Sequence, residues 1–162
     1  MPRIVLFQPQ IPPNTGNVAR TCAATNTPLH LIEPLGFVID DRQLRRAGLD
    51  YWPWVDLQRH SDLEAFHQHR IRQGGRLVAL SAHAQRPYSH FEFAGSDWLL
   101  FGRETEGLPV ELLAITDARL SIPMAGGLNR GGGVRSLNLS VAVAVVLFEA
   151  LRQLESTAPQ EL

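Results

Sequence analysis

No lysine occurs among the 162 residues; all 15 basic side chains are arginine. That excludes Schiff-base chemistry, a catalytic lysine and the lysine of a Walker A loop in one step. Any phosphate contact must then come from arginine, histidine or backbone N–H. Cysteine is nearly absent too. With Cys22 alone there is no internal disulfide and no thiolate-rich zinc site. The longest apolar stretch, VAVAVVLFEAL, is too short for a bilayer and is interrupted by Glu149. The first residues lack a basic segment followed by a long apolar run, so no signal peptide is expected. The chain reads as soluble and cytoplasmic, and its net charge of −1 announces no nucleic-acid or membrane partner.

What is present alternates. Runs rich in branched residues recur at 3–7 (RIVLF), 29–33 (LHLIE), 76–80 (RLVAL), 97–101 (DWLLF) and 119–123 (RLSIP). Helical patterns lie between most of them. One spans about Asn14 to Thr25. A second, Ser61 to Arg72, opens with Ser61 and Glu64 in capping-box spacing. A third follows Pro109, and the last runs from about Ser136 to Leu154. Strands alternating with helices predict an α/β fold: a mostly parallel sheet flanked by helices. We read one domain over residues 1–154 and a disordered tail over 155–162. The last helix is apolar on most sides, so a partner subunit is expected to cover its second face, giving a homodimer.

In open parallel sheets, ligands bind outside the carboxyl ends of the strands. Three segments leave such ends with unusual chemistry: PQIPPNTGNVAR, FGRETEGLP and IPMAGGLNRGGGVRSLNLS. The first places Asn14, Asn17, Arg20 and Thr21 on one helical face, where a guanidinium beside a helix start suits an anion. Capping asparagines and a surface arginine are the plainer alternative. In the second, Gly102 permits close approach and Glu104 can anchor a ligand; a simple turn closed by Gly107 accounts for the same letters. The glycines of the third do not form a phosphate-loop or dinucleotide fingerprint.

The stretch DDRQLRRAG puts Arg42, Arg45 and Arg46 on one helical face just before Tyr51, Trp52 and Trp54. Arginines beside aromatics suit RNA phosphates and unstacked bases, although a solvated face paired with Asp40 and Asp41 also fits. His60, Glu64 and His67 fall on one helical side, but without a further ligand they do not make a metal site, and none is expected.

Three motifs in the same order (IPPNTGNVAR, FGRETEGLP and IPM…RSLNLSVAVAVVLFEALRQ) resemble the SPOUT class of methyltransferases. With LHLIEPLGF and DDRQLRRAGLDY added, the chain is similar to the minimal tRNA (cytidine/uridine-2′-O)-methyltransferases that modify wobble nucleotide 34, over about residues 3 to 154. The resemblance implies a C-terminal trefoil knot, which periodicity alone would never suggest. It implies an obligate homodimer acting on the tRNA anticodon stem-loop. It also implies S-adenosylmethionine held by Leu80, Gly102, Ile122, Ser136 and Leu137, with Glu104 beside them, and S-adenosylhomocysteine as product. Arg20 matches the catalytic arginine of such enzymes. A guanidinium surrenders its proton only at high cost near neutral pH, so gripping the phosphate next to the target ribose is its physically easier role. Asn14 and Asn17 would shape the loop or bind the ribose. Arg42, Arg45 and Arg46 would contact phosphates, and Tyr51 would stack on a base.

The chain departs from that pattern in three places. AGGLNRGGGV is longer than the usual link, Val141 replaces a common asparagine, and Arg103 and Glu106 replace proline and arginine. The alternatives are a noncatalytic RNA-binding relative, a related enzyme acting at another tRNA or rRNA position, and a generic nucleotide-binding α/β enzyme. Lack of the glycine fingerprint counts against the last.

Overall fold

The structure, a computed structural model, describes residues 1–40, 51–125 and 133–157. In chain order the elements are β1 (Arg3–Phe7), α1 (Pro12–Ala24), β2 (Leu29–Ile32), β3 (Leu57–His60), α2 (Leu63–Gln73), β4 (Leu77–Leu80), β5 (Arg86–Pro87), β6 (Trp98–Phe101), α3 (Val110–Ala114), β7 (Ala118–Ser121) and α4 (Leu139–Thr157). Among the described residues the strands form one seven-stranded sheet in the order β3-β2-β1-β6-β4-β7-β5, and every pairing is parallel.

A parallel sheet must be covered on both faces, and alternation along the strands shows how. Ile4, Leu6, Leu29, Leu31, Val78, Leu99, Phe101 and Leu120 point to the side covered by α1 and α4. Val5, Phe7, Ile32, Leu77, Trp98 and Leu100 point to the other, where Phe66 of α2 and Leu112 of α3 close over them. The four strands β1, β2, β4 and β6 are buried almost throughout, so they read as continuous apolar runs in the sequence.

Several expectations need correction. β3 (LQRH) and β5 (RP) were not expected; an edge strand and a two-residue strand carry too few apolar residues to announce themselves. Helix α2 is capped by Asp62, whose Oδ1 accepts from Ala65 N at 2.7 Å, and not by Ser61. A carboxylate satisfies that N–H and the positive helix end together. Glu64 instead accepts from Gln68 Nε2 at 2.8 Å. Because the helix starts at Leu63, His60 ends β3 and shares no helical side with Glu64 and His67. Helix α4 starts at Leu139, three residues later than expected, with Asn138 Oδ1 accepting from Ser140 N at 2.9 Å. It also runs on to Thr157, past the expected start of the tail.

Candidate active site

The strand β1 ends at Phe7, and Gln8 then takes a positive φ of 47° to turn the chain toward α1. The turn has no cap from its own residues: Ile11, the residue before the helix, makes no side-chain capping bond. A distant carboxylate supplies it. Glu104, beyond the end of β6, accepts from Gln10 N at 2.9 Å and from Ile11 N at 3.1 Å. Charge-assisted bonds of this kind are the strong ones, and they sit where the helix dipole favours a negative group.

Glu104 can reach because its own loop is tightly folded. Arg103 N donates to Gly107 O at 3.1 Å and Gly107 N donates back to Arg103 O at 2.9 Å. Gly107 has φ +69°, and a Cβ on Gly102 would lie 2.3 Å from Gly107 C. Any side chain at 102 would therefore push the returning backbone away and displace Glu104 with it.

A third segment joins through Asn14. Its side chain is buried in the first turn of α1, donates a long 3.5 Å bond to Glu104 Oε1, and accepts from Asn138 Nδ2 at 2.9 Å. Asn138 immediately follows Ser136 and Leu137 and caps α4. The segments around Gly102, Asn14 and Ser136, about 35 and 90 residues apart in order, are thus tied by one polar chain. Asn138 was not among the expected site residues. Its place just before an apolar helical run, with serine two residues on, was the available signal.

Two turns along α1, Arg20 is exposed, and its guanidinium carbon lies 5.8 Å from the centre of the Tyr51 ring. Tyr51 is itself fixed, its hydroxyl donating to Gly16 O at 2.6 Å. Asn17 is exposed on the same helix, and its carbonyl accepts from Thr21 Oγ1 at 3.1 Å. Leu80 and Ile122, at the carboxyl ends of β4 and β7, are half-buried against the core. With Gly102 at the end of β6 they mark three neighbouring strand ends, since β4 lies between β6 and β7. Ser136 is exposed and Leu137 half-buried. Arg42, Arg45 and Arg46 lie outside the described residues, as do residues 126–132 of the glycine-rich stretch.

The polar groups here are amides, one structural carboxylate and an arginine. Cys22 is buried in α1, and burial pushes its thiol up to about 12, so it is no nucleophile at neutral pH. Among the described residues no group of three or more histidine, cysteine, aspartate or glutamate side chains could hold a metal ion. What remains can bind, shape and orient.

Comparison with known proteins identifies the family. The profile of the SpoU rRNA Methylase family matches residues 1–148. The chain belongs to that family. Among its SpoU-family relatives, the tRNA (cytidine(34)-2′-O)-methyltransferase of Yersinia pestis is 47% identical, over 95% of this chain and 94% of its own. A solved structure described as giving insight into 2-OH methylation of C/U34 on tRNA is 51% identical, covers 96% of this chain and 97% of its own, and superposes with a TM-score of 0.86. The SpoU methyltransferase AviRb of Streptomyces viridochromogenes, solved in complex with AdoMet, is 26% identical with a TM-score of 0.79; the match covers 96% of this chain and 61% of that one.

Proposed function

We propose that this chain transfers a methyl group from S-adenosylmethionine to the ribose 2′-hydroxyl of the wobble nucleotide, cytidine or modified uridine at position 34, in the anticodon stem-loop of tRNA. The observation that carries this reading is the polar chain from Glu104 through Asn14 to Asn138, which brings all three resembling motifs to one end of the sheet.

The residues suit the donor. Half-buried Leu80 and Ile122 at neighbouring strand ends, with half-buried Leu137 and exposed Ser136 from the segment before α4, are the apolar and main-chain groups that a flat purine would use. Gly102 and Glu104 hold the neighbouring loop. S-adenosylmethionine supplies an electrophilic methyl on a sulfonium and departs as S-adenosylhomocysteine, with no metal required. The chain's own task is to bring a ribose oxygen in line, about 3 to 3.5 Å from the methyl carbon, and to let its proton leave. Arg20 grips the phosphate beside that ribose, held at its angle by the Tyr51 ring. A phosphate oxygen or water then takes the proton. Asn17, exposed one turn before Arg20, contacts the ribose, while Asn14 keeps the loop in shape. Arg42, Arg45 and Arg46 bind phosphates further along the stem-loop.

In the same reading residues 1–154 form one domain threaded as a trefoil knot, working in the cytoplasm as a homodimer. Support for the dimer comes from α4, where Val141 and Phe148 stand 47% and 56% exposed with Val145 half-buried between them. Spacings of four and three put all three on one stripe. No helix among the described residues is long and apolar enough to cross a membrane.

The test is direct. Purified chain is incubated with S-adenosylmethionine and unmodified tRNA, and methylated nucleotides are mapped by mass. A 2′-O-methyl at position 34 that depends on Arg20 is expected; methylation elsewhere, or none, would overturn the assignment.

A further inference from the structure

A cleft of about 370 Å³ opens at the carboxyl ends of β1 and β2, lined by Gln8, Gln10, Pro34, Leu35, Gly36 and Arg103, with Glu106 at its edge. It lies across the Gly102–Gly107 loop from the ends of β4 and β7, because β6 separates β1 from β4. One loop therefore forms a wall of both places. The volume is within the usual range for small-ligand sites, and amides, a guanidinium and a carboxylate converge on it beside apolar Leu35 and Pro34.

The two glutamines differ in one respect. Gln8 is locked: its Oε1 accepts from Arg103 Nη2, and arginine can only donate, so the amide has one orientation. Arg103 is itself fixed by Glu106 Oε2 at 2.6 Å and by the Phe7 ring, 5.0 Å from its guanidinium carbon. Gln10 is not locked in this way. Its side-chain partner is the Thr105 hydroxyl, at 2.9 Å from Oε1. A hydroxyl can donate or accept, so the Gln10 amide can turn over by 180° and keep that bond. Each end of the amide has a second valence, either a lone pair or an N–H, left for a ligand.

Cytosine and uracil differ by just such an exchange. Cytosine presents an N4 donor beside an N3 acceptor; uracil presents an O4 acceptor beside an N3–H donor. An amide that turns over meets either edge with two hydrogen bonds, as single-stranded recognition of Watson–Crick edges requires. The geometry points to this cleft as the subsite for the acceptor base, with Gln10, backed by Thr105, as the residue that admits both pyrimidines. This rests on the proposed 2′-O-methyl transfer and adds to it the source of base tolerance. Arg103 and Glu106, the two departures in the FGRETEGLP motif, are a mutually neutralising pair on the cleft wall.

The experiment compares kcat/KM for two anticodon stem-loops that differ only in carrying cytidine or uridine at position 34. In Thr105→Asp the side chain at 105 only accepts, so it holds Gln10 by Nε2 and fixes the amide in one orientation, which suits the edge of one pyrimidine and not the other. The cytidine-to-uridine ratio is expected to shift at least tenfold from wild type. Gln10→Leu removes both modes and is expected to lower kcat/KM on both substrates by tenfold or more. S-adenosylhomocysteine affinity, unchanged in each variant, certifies the fold and the donor site. A ratio within twofold of wild type in Thr105→Asp, or near-wild-type turnover in Gln10→Leu, overturns the subsite while leaving the methyl transfer standing. A wild-type protein that methylates neither substrate overturns both.

Discussion

Acidification should weaken this fold through a cluster of histidines on the side of the sheet that α2 covers. His30 in β2 is 1% exposed, and its Nδ1 lies 3.0 Å from Nε2 of His60, which is 7% exposed. The rings stack at 5.3 Å, and the His69 ring of α2 lies 5.5 Å from His30 and 5.1 Å from His60. Trp98 and Phe66 close the cluster, and Arg3 approaches over the Trp98 ring. A single shared proton satisfies the His30–His60 bond when both rings are neutral; a second would face an N–H with an N–H. Burial first, then His60, His69 and Arg3, push His30 down from 6.5 to about 3. Burial and then His69 lower His60 as well. A histidine with a depressed folded pKa binds fewer protons folded than unfolded. Its contribution is therefore intact above about 6.5 and is lost as pH falls toward 3. At pH 5 the unfolded imidazole is protonated roughly thirtyfold over neutral while the folded one is not, a loss of about 2 kcal/mol from His30 alone. For a chain of this size that is about 4 to 8 °C in Tm. Glu149, held at about 2 by Arg152 and then Gln153, adds acid sensitivity only below its ordinary 4.5, so the interval from pH 7.5 to 5 isolates the histidines. Urea unfolding at fixed protein concentration measures the loss, and His30→Leu combined with His60→Leu should flatten the profile. Equal stability at pH 7.5 and 5 in the wild type, or an undiminished slope in the double variant, refutes the reasoning.

Arg20→Lys keeps the charge but loses the planar fork, and turnover should fall about 100-fold with S-adenosylhomocysteine affinity unchanged. Near-wild-type kcat would show that a point charge suffices. Asp97 is fully buried, receives Arg76 Nε and Nη2 at 2.8 Å each, and also accepts from Ala94 N at 2.7 Å. Asp97→Ala should cost about 3 kcal/mol in urea unfolding, and a loss under 1 kcal/mol would mean the arginine is rescued by water. If α4 forms the proposed dimer, Val141→Glu with Phe148→Glu should convert it to monomer in sedimentation equilibrium; a wild-type monomer, or a dimer in the variant, overturns that reading of α4.

The sheet's inner strands were legible because a parallel strand buried on both sides is apolar nearly throughout, as in the IVLF of β1 and in β2, where His30 is the one buried polar residue. The same rule hid β3 and β5, whose neighbours cover them on one side only. Helix ends were the weakest expectations: Ser61 and Asp62 are both eligible caps, and only the fold shows which side chain meets an open N–H. At the site the sequence carried Asn14, Gly102 and Glu104, but not why each is needed. Gln8, Gln10 and Thr105 gave no signal, since a glutamine on a loop is ordinary until its partner, some 95 residues away, is in place.

Among the described residues this end of the sheet has no cluster fit for a metal, and its loops are ordered by other means. Attack on a methyl group tolerates little misalignment of the incoming oxygen, so loops that would drift independently have to be tied to each other. Here the ties are not to solvent-facing ions but to helix starts. Glu104 closes the start of α1, and Asn138, which caps α4, also holds Asn14. Both helices pack on the same face of the sheet, through Val18, Ala19 and Cys22 of one and Val143, Val146 and Leu147 of the other. The hydrophobic layer thereby sets the spacing of the two helix starts, and the polar chain passes that spacing to the loops. The energy that orders these loops is largely the energy that folds the domain, and under the proposed role of Arg20 that would let an exposed side chain act from a fixed helix.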